Sequence, residues 1–112
     1  SGLHDCHYLD SKAGIAETMR RAWTEYDGLV CIMAAGIVVR SIAQLLENKQ
    51  TDPCVIVCDE SGRFVISLLS GHIGGGNALA EKISGLIGGQ AVITTASDIL
   101  GHTAVDIWAR NH

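Results

Sequence analysis

Aromatic residues are scarce: two Trp, two Tyr and one Phe in 112 residues. A core therefore has to be built from Ile, Val, Leu and Ala. There is a single proline, Pro53, which argues against a low-complexity or polyproline chain. No apolar run approaches the length of a membrane span, and no charged-then-apolar leader opens the chain. Basic residues form no patch and the formal net charge is −4. Nucleic acid is thus an unfavourable partner. The four cysteines, Cys6, Cys31, Cys54 and Cys58, contain no C-x-x-C pair. They read as reduced, buried thiols of a cytoplasmic protein. Cys6 with His4 and His7 would make only part of a zinc site, because nothing downstream completes it; no metal site is expected.

What is present is apolar and glycine-rich. Hydrophobic residues make up 47% of the chain and glycines number 13, with a mean hydropathy of +0.26. This suits one domain, residues 1–112, with its own core. Lys12 to Trp23 carries Ile15, Met19, Ala22 and Trp23 at helical spacing. Leu29 to Met33 reads as a strand covered on both faces. Ile37, Ile42, Leu45 and Leu46 form a second helical stripe, closed by the polar stretch 48–53. Cys54 to Cys58 is a second buried strand, and Asp59-Glu60-Ser61-Gly62 turns into a third, Arg63 to Leu69. Gly71 to Gly76 is a glycine-rich loop. Asn77 to Ile87 is a helix with Leu79, Ile83, Leu86 and Ile87 on one face. Ala91 to Thr94 is a fourth strand, and Thr103 to Arg110 a last short helix.

This order predicts an α/β domain of three layers, a small mixed four-stranded sheet flanked by helices. The hairpin makes strands one and two run one way and strands three and four the other. The loops after strands three and four, Ser70–Asn77 and Thr94–Asp98, then open on the same sheet edge. Arg40, Asp59 and Glu60 fall toward the opposite edge.

The segment with chemistry is Ser70-Gly71-His72-Ile73-Gly74-Gly75-Gly76-Asn77. Glycines there let backbone approach a ligand, and a helix start offers N–H groups to an anion. His72 can exchange a proton near neutral pH. Spacing alone leaves a tight turn equally open, and Asn77 is as well explained as a helix cap. The pattern is neither a Walker loop nor a dinucleotide fingerprint. Asp98, beyond the fourth strand with Thr94 and Thr95, either faces the His72 loop or caps the final helix. Arg40 either binds a carboxylate or pairs with Glu47 or Asp59. Asp59 and Glu60 make the hairpin turn.

At these residues the chain resembles CbiG-type cobalamin-biosynthesis proteins. The blocks are Asp27 to Arg40, Lys49 to Gly62, Ile66 to Asn77, and Thr94 to Asp98, which together span about residues 26–98. The resemblance implies an N-terminal domain of a longer protein with a C-terminal domain as partner. It also implies anaerobic cobalamin biosynthesis: hydrolysis of cobalt-precorrin-5A, with δ-lactone opening and acetaldehyde release. No separate cofactor is implied, since the corrinoid substrate carries its own cobalt. On that reading His72 and Asp98 are catalytic. Ser70, Gly71, Gly74, Gly75, Gly76, Asn77, Thr94, Thr95 and Arg40 bind substrate. A non-catalytic corrinoid-binding or interdomain-packing module is the alternative. A third reading is a homodimer formed through an exposed helix face around Trp23 or Trp108.

Overall fold

The computed structural model describes residues 7–9, 12, 14–71 and 75–95. The expected Thr103–Arg110 helix, His72, Gly74, Asp98 and Trp108, and the Cys6 and His4 of the partial zinc site, lie outside the described residues. Within them the order is α1 (Ile15–Trp23), β1 (Gly28–Ile32), α2 (Ala35–Ile42), β2 (Cys54–Cys58), β3 (Phe64–Leu69), α3 (Gly76–Ile87) and β4 (Gln90–Ile93). The strands form one sheet in the order β1-β2-β3-β4. β1 and β2 are parallel, β2 and β3 antiparallel, and β3 and β4 parallel. The mixed sheet and strand directions are those the hairpin demands.

β2 explains why the domain has three layers. Its five residues, Cys-Val-Ile-Val-Cys, are all buried. Val55 and Val57 face a cluster with Met19, Ala22 and Trp23 of α1 and Val38 and Ile42 of α2. Ile56 and Cys58 face Val65 of β3 and Ala80 of α3 on the other side. Strand side chains alternate between faces, so α1 and α2 cover one face and α3 the other.

Three expectations about apolar faces are corrected. β1 is covered on one face only: Leu29 and Cys31 are buried, whereas Val30 and Ile32 are 46% and 62% exposed. β1 is an edge strand, and α3 lies over β2, β3 and β4 instead. On α2 the buried residues are Val38 and Ile42, flanked by Ala35 and Leu45, and Ile37 and Leu46 face outward. On α3 the buried residues are Gly76, Ala80 and Ser84. Leu79 and Ile83 pack beside them, but Leu86 and Ile87 are exposed. Small side chains four apart let this helix approach the sheet closely, which a stripe of leucines would prevent. Trp23 is buried among the α1–α2 cluster, so it offers no exposed face for pairing.

The hairpin turn is built by Asp59. Its carboxylate accepts the N–H groups of Arg63 and Phe64 at 2.8 and 2.7 Å and the Ser61 hydroxyl. These bonds, the Ser61 hydroxyl foremost, hold the Asp59 carboxyl below its ordinary range. In the loop before β2, Asp52 similarly accepts the N–H groups of Glu47 and Asn48.

The cysteines Cys31, Cys54 and Cys58 are free and buried. Burial pushes all three thiols up, Cys31 to about 11, so they stay protonated near neutral pH. Among the described residues no three His, Cys, Asp or Glu side chains gather to hold a metal, and no helix is long and apolar enough to cross a membrane.

The sheet-centred core makes a direct prediction. Ile56 is fully enclosed, so Ile56→Ala should cost about 2–5 kcal/mol in urea unfolding. Ile32→Thr, on the exposed face of β1, should stay within about 0.5 kcal/mol of the parent.

Candidate functional site

β3 ends in an irregular way that sets up the corner beyond it. In its pairing with β2 the register shifts: Ile56 is opposite Ser67, but Val55 is opposite Leu69. Leu68 is thus the extra residue of a bulge, a device that bends a strand and re-aims the side chains beyond it. Leu68 and Leu69 both pack toward the α1–α2 cluster. Ser67, one residue earlier, is buried on the α3 side. Ser70 comes next, in the left-handed region at φ 58, the only non-glycine residue with positive φ among the described residues.

At this corner three elements are tied by side chains. The Ser67 hydroxyl donates to Asn77 Oδ1 at 2.8 Å, and Asn77 Nδ2 donates to Thr95 Oγ1 at 2.8 Å. Strand β3, the first turn of α3 and the segment after β4 are joined through one amide. This places the Ser70 end of β3 and the Thr94–Thr95 segment on one sheet edge, as the strand directions require. It also removes one of the two readings of Asn77, the helix cap. The N-cap of α3 is Gly75, at φ 81, with no side-chain cap. Asn77 bridges elements and does not cap its own helix.

The glycines here serve close approach. A Cβ on Gly71 would sit 2.5 Å from Asn77 Oδ1, so a side chain at 71 and the Asn77 bridge exclude each other. A Cβ on Gly76 would meet Ser67 Oγ at 3.1 Å, the Ser70 carbonyl at 3.2 Å and Cys54 Cβ at 3.3 Å. The first-turn amides of α3 are partly committed: Gly76 N–H donates to the Ser70 carbonyl at 3.2 Å and Asn77 N–H to the Gly71 carbonyl at 2.9 Å. Gly76 therefore does not offer the bare N–H that the glycine pattern suggests. The Ser70 hydroxyl is buried and has no hydrogen-bond partner among the described residues.

Of two further candidates, one shares this edge and one does not. Thr94 is exposed beside Thr95. Arg40 is exposed on α2, which packs on the face opposite α3, so it is not gathered with Ser70, Gly71 and Asn77. It forms no ion pair with Glu47 or Asp59 among the described residues; Asp59 is occupied by its own turn. The residue that sequence reasoning missed is Ser67. Its signal was a lone hydroxyl within the apolar run Phe64-Val65-Ile66-Ser67-Leu68-Leu69, which in a strand points a polar group into the core and so demands a partner.

An open groove of about 940 Å³ runs along β1 and reaches the start of α3, where Gly28, Cys54, Gly75 and Leu79 line it. This volume lies within the roughly 300–1,000 Å³ range of small-molecule pockets.

The bridge is testable by a double-mutant cycle. Asn77→Ala leaves the buried Ser67 hydroxyl without its acceptor and should cost about 1–3 kcal/mol in urea unfolding. The double variant Ser67→Ala/Asn77→Ala should cost clearly less than the sum of the two single changes. Additive costs would contradict a direct bond.

Comparison with known proteins agrees with this architecture. A family model described as "Cobalamin synthesis G N-terminal" matches residues 17–98. A "Cobalt-precorrin-5A hydrolase" of Salmonella typhimurium strain LT2 is 47% identical over 107 residues, covering 96% of this chain and 30% of that protein. A protein of the same description from Priestia megaterium is 47% identical over 85 residues, or 76% of this chain and 23% of that one. The chain thus spans less than a third of the length of these relatives. The crystal structure of a cobalamin biosynthesis protein G homolog from Sulfolobus solfataricus superposes with a TM-score of 0.63 at 30% identity, covering 72% of this chain and 26% of that one. The sheet order, the glycine corner and the match across residues 17–98 together place this chain in the cobalamin synthesis G N-terminal family.

Proposed function

We propose that this chain is the N-terminal part of a cobalt-precorrin-5A hydrolase of anaerobic cobalamin biosynthesis, acting in the cytoplasm. The observation that carries the reading is the extent of identity with the Salmonella hydrolase, which runs through nearly the whole chain. The three free thiols support a reducing compartment. The substrate is a corrinoid that brings its own cobalt, and no separate cofactor is proposed. The natural partner is the remaining length that the relatives possess.

The reaction joins two steps. Water adds to the lactone acyl carbon, and the acyl–oxygen bond breaks to leave a carboxylate and a hydroxyl. The hydroxyl then loses its proton, and the adjacent carbon–carbon bond breaks with its electron pair moving onto the macrocycle, releasing acetaldehyde. His72 is proposed as the base that activates water and the acid that protonates the leaving oxygen. Asp98 orients His72 or accepts the proton that starts carbon–carbon cleavage. The amides of Gly74 and Gly75 hold the developing oxyanion, since Gly76 N–H is engaged by the Ser70 carbonyl. Asn77 and Thr95, with Gly71 making room, keep the two loops together, and Ser70 and Thr94 supply hydroxyls to the substrate. Arg40, on the other face, is proposed only for a substrate side chain that extends around the edge.

The full-length protein incubated with cobalt-precorrin-5A should release acetaldehyde, read by a coupled alcohol dehydrogenase assay. His72→Ala should lower the rate about 10²- to 10⁴-fold. A rate within a few-fold of the parent removes His72 as the acid–base. Corrinoid binding with no acetaldehyde would instead support the non-catalytic module.

A further inference from the structure

We infer that the hydroxyl of Ser70 is a substrate contact, buried without a partner among the described residues and delivered when Ser70 leaves its left-handed backbone conformation. The inference rests on the corrinoid reading above and names one residue's part in it.

The case is one of comparison with glycine. At φ 58, Ser70 occupies a region that glycine enters freely and serine does not. Its carbonyl accepts the Gly76 N–H, a contact any residue would make. Its hydroxyl is buried and has no hydrogen-bond partner among the described residues, which forfeits the hydrogen bond it would have in water. Glycine would satisfy every contact the structure shows at this position, without strain and without an orphaned polar atom. The hydroxyl is the one thing serine adds, and in this state it is idle. Backbone strain together with an unsatisfied buried group is the pattern expected where a site is set for a ligand.

The exit route is inferred from the same contacts. The bond between Ser70 carbonyl and Gly76 N–H, at 3.2 Å, is at the long end of the range. Relaxation of Ser70 to the extended region, ordinary for serine, turns the carbonyl away and swings the side chain out of its enclosure. Gly76 N–H is released by the same movement. Two donors then appear together at the positive end of α3, suited to a carboxylate or lactone oxygen. The Ser67–Asn77–Thr95 side-chain bridge does not involve Ser70, so it persists while the backbone from Ser70 to Gly71 adjusts.

The test uses the full-length protein with Ser70→Gly and Ser70→Ala. Three quantities are measured: thermal midpoint, affinity for cobyrinic acid as a corrinoid polycarboxylate, and kcat/KM for acetaldehyde release from cobalt-precorrin-5A. Ser70→Gly should melt at or above the parent, because the strain is gone. Both variants should bind cobyrinic acid and turn over substrate about 10- to 100-fold less well, the loss expected for one hydrogen bond to a charged group. In the parent, the Gly76 amide should shift on binding. A Ser70→Gly protein with parental affinity and kcat/KM overturns the inference, as does one that melts well below the parent. If the parent binds cobyrinic acid but releases no acetaldehyde, the reaction reading fails while the affinity comparison still decides the role of Ser70. A parent that does not bind cobyrinic acid removes both.

Discussion

The corner of this molecule depends on one amide. Asn77 accepts a hydrogen bond from the Ser67 hydroxyl and donates one to Thr95, so a buried polar atom of the sheet is satisfied and two loops are fixed with a single side chain. The bond from Ser67 is largely removed from water, where an unpaired hydroxyl would be costly. Everything near it is shaped to allow it. Gly71 and Gly76 have no side chains because Asn77, Ser67 and Cys54 occupy that space. Gly76, Ala80 and Ser84 continue the small face that lets α3 come down on β2 and β3.

The bulge at Leu68 and the left-handed Ser70 belong to the same construction. A regular strand would carry residues 68 and 69 to opposite faces. The bulge sends both toward the α1–α2 cluster, and the chain must then turn sharply to begin α3 above the other face. Ser70 makes that turn in an unfavourable backbone region. The apolar core anchors the arrangement from below, through a central strand buried on both sides. Such a strand tolerates little adjustment, so the strain has no easy outlet into the sheet. The acid–base chemistry of the described residues is quiet by contrast. The thiols are held protonated by burial, and the depressed carboxyl of Asp59 serves a turn at the opposite edge.

Much of the fold was legible in the sequence. The unbroken run Cys54–Cys58 announced a strand buried on both faces. The short Asp59–Gly62 connection fixed a hairpin and, through it, the direction of every strand. The α1 stripe of Ile15, Met19, Ala22 and Trp23 was correctly placed because Glu17, Thr18, Arg20 and Arg21 mark out the polar face. The misreadings arose where apolar residues are too abundant to choose a face. Ile37 and Leu46, in and just after α2, and Leu86 and Ile87 on α3 satisfied a helical period, yet the sheet selected Val38 and Ile42 in the first case and the small Gly76, Ala80 and Ser84 in the second. Val30 and Ile32 looked buried because periodicity cannot tell a central strand from an edge. The corner was legible as a place but not as a geometry. The glycine spacing marked the corner, whereas the Asn77 bridge depends on Thr95, eighteen residues away, and on a serine hidden in an apolar strand.

If ligand binds where β3 and β4 end, its footprint should be local. Amide hydrogen exchange of the full-length protein, with and without cobyrinic acid, tests this most directly. The account predicts slowed exchange at Ser70, Gly71, Gly76, Asn77 and Thr95, with Val30 and Ile32 unchanged. Protection confined to the exposed face of β1, with the corner unaltered, would contradict it.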